Sequence, residues 1–100
     1  MRLELSRFVE GDLDAIADFI AADSPLRAVS FIQEIRAKFA LIQRQPLLYP
    51  LRPHIGEQAR LAGVGNYAIL FRVGADAVRI ERVIFGGRDL PALFTDADTQ

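Results

Sequence analysis

The sequence predicts an α+β domain in which an antiparallel helical hairpin covers one face of a small sheet. Three observations carry that expectation. Residues 12–45 hold two runs of apolar side chains at helical spacing, divided only by Asp23-Ser24-Pro25. Residues 59–85 hold three runs rich in branched and aromatic residues, separated by glycine-containing breaks. Apolar residues make up 51% of the 100 positions, enough for one packed core without staples. We read residues 1–94 as a single domain and 95–100 as a short acidic tail, with no internal repeat or linker.

Each element follows from local signals. Leu3, Leu5 and Phe8 alternate with charged neighbours and predict an N-terminal strand. From Asp12, the apolar positions Leu13, Ile16, Ala17 and Ile20 fall on one face of a first helix, with Asp12 and Asp14 favourably placed near its N-terminus. Ser24 can cap, and Pro25 can open, a second helix whose apolar face is Ala28, Phe31, Ile32, Ile35, Phe39 and Ile42. That helix ends at Gln45, because the residue before Pro46 is pushed out of the helical region. Leu47 to Pro53 then reads as a loop in which Leu48, Tyr49 and Leu51 cover a core edge. Ala59 to Ala62 predicts a short strand, and Tyr67–Val73 and Ala77–Phe85 a hairpin. Its break, Gly74-Ala75-Asp76, suggests positive φ at Gly74. Alternation fails at Glu81-Arg82, where a bulge is expected. The three last strands form an antiparallel meander.

Composition excludes several chemistries. With no cysteine there is no disulfide framework, thiol nucleophile or thiolate zinc site, which suits a reducing compartment. MRLELSRF is too short in apolar run and too charged for a signal peptide, and no window spans a bilayer, so a cytoplasmic location is expected. His54 has no second histidine, and Ser6, Ser24 and Ser30 stand in no nucleophile context. Asp14 and Asp18 are spaced as a carboxylate pair, but read as a solvated helix face. Gly63-Val64-Gly65 lacks the lysine and following helix of a phosphate loop and reads as a strand turn. No metal or cofactor is called for.

Charge is segregated. The net charge is −1, yet residues 1–26 sum to −4, residues 27–88 to +6 and the remainder to −3. Eleven of the twelve basic residues are arginine, whose planar fork suits carboxylate or phosphate. Arg60, Arg72, Arg79, Arg82 and Arg88 lie on or just after the meander, and several sharing a face would make a cationic surface. By strand parity, Arg72 points away from Ile69 and Phe71, and Arg79 away from Val78 and Ile80; a solvated sheet face is the alternative. Gly86-Gly87-Arg88-Asp89 allows a close backbone approach before an arginine. An ion pair from Arg88 to Asp14 or Asp18 is a structural alternative.

The ordered set of DLDAIADFI, the proline break after the second helix, G-x-G-N-Y-x-I-x-F-R-V and RVIFGGRDL resembles the ParE branch of the ParE/RelE toxin superfamily over nearly the whole chain. What the resemblance implies is a small bacterial toxin of a type II toxin-antitoxin system, in hetero-oligomeric complex with a ParD-like antitoxin. ParE-like members are associated with inhibition of DNA gyrase, RelE-like members with cleavage of messenger RNA on the ribosome. RelE-type cleavage needs phosphate stabilisation and proton transfer. Where the RelE pattern has an arginine after the central tyrosine, Ala68 follows Tyr67; where it has a later tyrosine, Phe94 stands; Arg88 is retained. The resemblance therefore favours a gyrase inhibitor acting by binding, through Arg60, Arg72, Arg79, Arg82, Arg88 and Phe94 toward target or antitoxin. The alternatives are a ribosome-dependent endoribonuclease using Arg88 and Arg60, with Glu57, His54 or Tyr49 recruited, and an inactive homologue that only binds antitoxin.

Overall fold

The chain begins with an edge strand, β1 (Arg2–Leu5), followed by two helices, α1 (Val9–Ala21) and α2 (Pro25–Arg44), and by the strands β2 (Arg60–Val64), β3 (Tyr67–Val73) and β4 (Ala77–Phe85). These elements come from a computed structural model that describes residues 1–86. The sheet order is β1-β4-β3-β2. The meander is antiparallel as expected, while β1 lies parallel to β4, with Leu3 opposite Val78 and Leu5 opposite Ile80. A parallel partner needs a crossover, which the helical hairpin and the first two strands of the meander supply.

The helices start and stop where side-chain chemistry dictates. Ser24 Oγ accepts the Arg27 N–H at 3.2 Å with Pro25 following, and Gln45 closes α2 just before Pro46. α1 begins at Val9, ahead of the expected Asp12, and Phe8 lies at its head rather than in β1. Ser6 explains the early start: its buried hydroxyl accepts the Phe8 N–H at 3.2 Å, satisfying an amide just before the first turn.

Leu13 and Ile16 of α1, and Phe31, Ile35, Phe39 and Ile42 of α2, pack on Ile69, Phe71, Val78, Ile80 and Val83 of the sheet. Each such buried side chain contributes about 1.5–3 kcal/mol relative to exposure. A second cluster, Ile55, Ala59 and Leu70 with Leu61 against it, lies on the opposite face. β3 therefore carries apolar side chains on both faces, which explains why its sequence does not alternate cleanly.

Two local expectations are corrected and a third holds. Of Leu48, Tyr49 and Leu51, only Tyr49 covers the core, its ring set edge-on to Phe71 at 5.6 Å, whereas Leu48 is 71% and Leu51 45% exposed. The short 3-10 turn at Pro46–Leu48 turns Leu48 outward. Positive φ occurs at Gly65, not Gly74. Val64 pairs with Tyr67, so only Gly65 and Asn66 connect β2 to β3, and Gly65 takes the first central position, where a type II′ turn wants glycine. The longer β3–β4 loop closes through Gly74 N–H to Ala77 C=O at 2.8 Å and needs no such residue. The bulge lies where alternation failed: Phe71 pairs with Ile80 and Leu70 with Arg82, leaving Glu81 as the extra residue.

Candidate binding surfaces

The arginines singled out in the sequence do not form one cationic surface, because register and the bulge send them to different places. Arg60 stands opposite Phe71 and so shares the helix-side face, where its guanidinium donates to the Tyr49 carbonyl at the sheet edge. Arg72 and Arg79 are direct cross-strand partners. They point away from the main core, as parity predicts, and both reach Glu81, at 3.3 Å and 3.1 Å from its Oε1. Arg82 leaves the sheet for α1. Its guanidinium makes two 2.9 Å hydrogen bonds to the Asp12 carboxylate, which also accepts the Val83 N–H at 3.0 Å. Arg88 and Phe94, with the proposed Arg88 ion pair, lie outside the described residues.

Glu81 was not legible as a site residue, yet its side chain is only 1% exposed. The bulge puts it there, and Ser6 pins the backbone: the Ser6 N–H donates to the Ile80 carbonyl at 2.8 Å, and its hydroxyl donates to the Glu81 carbonyl. Asp12 belongs to the same seam. Its place in the first turn suggested a role at the helix N-terminus, but its carboxylate turns to β4 instead.

Among the described residues, apolar surface stays open both between the helices and at the end of the sheet. Between the helices, Ala17 and Ala21 of α1 face Pro25, Ala28, Val29 and Ile32 of α2 across a groove of ≈420 Å³, with Asp18 and Gln33 on its rim. Small residues on α1 keep it open, and Val29 is 60% exposed. At the end of the sheet, a cleft of ≈290 Å³ lies among Phe19, Ile20, Arg27, Phe31, Tyr67 and Phe85. Tyr67 joins its walls, 5.6 Å from Phe31 and 5.9 Å edge-on from Phe85. Gly65 has φ +57°, which favours glycine, and a Cβ there would press on the Phe31 ring at 3.3 Å. Phe19 and Phe85 are 73% and 53% exposed, so the cleft shows aromatic surface of the kind that marks interaction sites.

Of the residues named for nuclease or metal chemistry, Arg60 meets Tyr49 only through the backbone carbonyl, and Arg88 lies outside the described residues. His54 and Glu57 are exposed, as are Asp14 and Asp18, and Tyr49 is packed on Phe71. Among the described residues no cluster of histidine, cysteine or acidic side chains could hold a metal, and no helix is long and apolar enough to cross a membrane.

Comparison with known proteins decides the family. The model of the family described as "ParE toxin of type II toxin-antitoxin system, parDE" matches residues 3–90. The chain belongs to the ParE toxin family. A solved structure titled "Chromosomal ParDE TA system from P. aeruginosa" superposes with a TM-score of 0.74 and 25% identity, covering 85% of this chain and 95% of that one. No curated protein sequence matches it. The match spans the helical hairpin and the whole meander, so the ParE fold accounts for every element described above.

Proposed function

We propose that this ParE toxin arrests growth by binding DNA gyrase, that it does so without catalysis of its own, and that a ParD-like antitoxin neutralises it in the cytoplasm. The observation that carries the non-catalytic reading is the occupation of its arginines. Arg60 serves a backbone carbonyl, Arg72 and Arg79 share Glu81, and Arg82 holds Asp12. A phosphodiester-cleaving centre needs cations aimed at developing charge and a group to move a proton. Ala68 and Phe94 supply neither at the positions where RelE-type enzymes have arginine and tyrosine.

For the antitoxin, the α1–α2 groove suits an amphipathic helix, and the outer edge of β1, hydrogen-bonded on one side only, suits an added strand. The basic middle of the sequence suits an acidic antitoxin segment. Purified toxin is expected to inhibit supercoiling by gyrase, antitoxin to relieve it, and induced cells to form filaments with a DNA-damage response. Unaffected gyrase at concentrations that arrest growth overturns the reading. Cleavage of messenger RNA in a purified translation mixture, lost on Arg88→Ala, replaces it with the endoribonuclease; expression without growth arrest leaves only antitoxin binding.

A further inference from the structure

Arg72 and Arg79 sit directly opposite one another on adjacent strands, a placement that is unfavourable for like charges unless something lies between them. Their side chains are 26% and 31% exposed, so the pair stands just beneath a protein surface, with Nε and Nη2 of Arg72 buried. Such a pair is suited to a phosphate oxygen. The chain fills the position itself. Glu81 Oε1 lies 3.3 Å from Arg72 Nε and 3.1 Å from Arg79 Nε. Glu81 reaches them only because it is the extra residue of the β4 bulge, and its backbone is held by the buried Ser6 hydroxyl. Ser6 thus fixes the backbone, and the two guanidinium groups hold the carboxylate between them.

We infer that Glu81 is a built-in counter-ion that closes the Arg72–Arg79 pair to phosphate, and so sets this sheet face against nucleic acid. Without the Glu81 charge, the same two arginines form a phosphate-binding pair. The inference deepens the reading of the toxin as a binder and not a nuclease, but it is tested without gyrase or ribosomes, so either claim can fail alone.

Glu81→Gln keeps the side-chain shape and removes the charge. Its affinity for a single-stranded RNA oligonucleotide, measured by fluorescence anisotropy on the full chain, is expected to rise on the order of tenfold at low salt. The slope of log affinity against log salt should steepen by about 0.7 for each phosphate newly engaged. Adding Arg79→Gln to Glu81→Gln should reverse the gain. Unchanged affinity and slope in a Glu81→Gln protein with a native circular-dichroism spectrum overturns the inference. If that variant does not fold, Arg79→Gln alone decides. With the charge of Arg79 already matched by Glu81, less than a twofold change in RNA affinity is expected, and a loss of tenfold or more overturns the proposal.

Discussion

Helix α1 is tied down by two arginine forks that look alike and differ in what surrounds them. Arg82 grips Asp12 with two 2.9 Å hydrogen bonds, and Arg36 grips Glu10 at 2.9 and 3.3 Å. The first pair joins α1 to β4, and its side chains are 13% and 11% exposed; the second joins α1 to α2 at 49% and 60%. The buried pair also replaces a missing strand. β1 pairs with β4 only as far as Ile80, and beyond it the Val83 N–H finds its acceptor in Asp12. Arg82 lies over the Phe8 ring as well, 4.7 Å from its centroid, which shields the pair further. Equal geometry thus carries unequal weight, because water competes for one fork and hardly reaches the other.

Asp12→Ala tests that inequality most severely. It leaves the Arg82 guanidinium mostly buried without its carboxylate and the Val83 N–H without an acceptor, so a loss of about 3–5 kcal/mol is expected. Against the ~5–15 kcal/mol stability of ordinary domains this is a large fraction. Urea unfolding should show a lower midpoint with an unchanged slope. A loss below about 1 kcal/mol would place the two forks on the same footing and break the comparison.

Asp12→Asn sharpens it by separating hydrogen bonding from charge. The amide oxygen can still accept from Val83 or from Arg82, but no longer neutralises the guanidinium. An intermediate loss of about 1.5–3 kcal/mol is expected, the range for a hydrogen bond to a charged group. Thermal unfolding would read this as a fall of roughly 4–8 °C per kcal/mol for a domain of this size. An effect as large as that of Asp12→Ala would assign the whole contribution to charge.

How far these features are legible in the sequence depends on how local their causes are. Ser24-Pro25 and Gln45-Pro46 act within a turn or two, and α2 accordingly starts and stops where they indicate. The β3–β4 hairpin and the failure of alternation at Glu81-Arg82 are equally readable, since period and its interruption lie within one strand. The parity of Arg72 and Arg79 follows for the same reason. What they face does not. That Glu81 falls between them depends on which strand carries the extra residue, and this is fixed by pairing with Leu70 and Phe71. Asp12 reads as a helix N-terminal residue because Arg82 and Val83, which give it its task, are 70 and 71 positions away. Arg60 is readable as a basic strand residue, but its engagement with the Tyr49 carbonyl requires the loop to be in place. Sequence pattern delivers elements and faces; the partner of a charged group is a tertiary fact.

The smallest expected effect belongs to the exposed fork and has its own signature in pH and salt. Hydrogen bonds from Arg36 hold the Glu10 carboxyl below its usual range. A carboxylate whose folded value is depressed contributes stability that is fully present above its unfolded value and is lost as pH falls through the folded one. Glu10 should therefore help fully above the ordinary glutamate value of 4.5 and help progressively less as pH falls below it. The Arg36 guanidinium, raised by the same hydrogen bonds, stays charged throughout that window and adds no slope. Because both side chains are about half exposed, Glu10→Gln should cost only about 0.2–1 kcal/mol at pH 7 and low salt. The difference from wild type should shrink in 1 M salt, where the screening length is about 3 Å. Asp12→Asn, measured beside it, should keep most of its cost under that salt. If 1 M salt erased both differences equally, burial would not be what separates the two forks, and the geometry of Val83 N–H would have to carry the distinction alone.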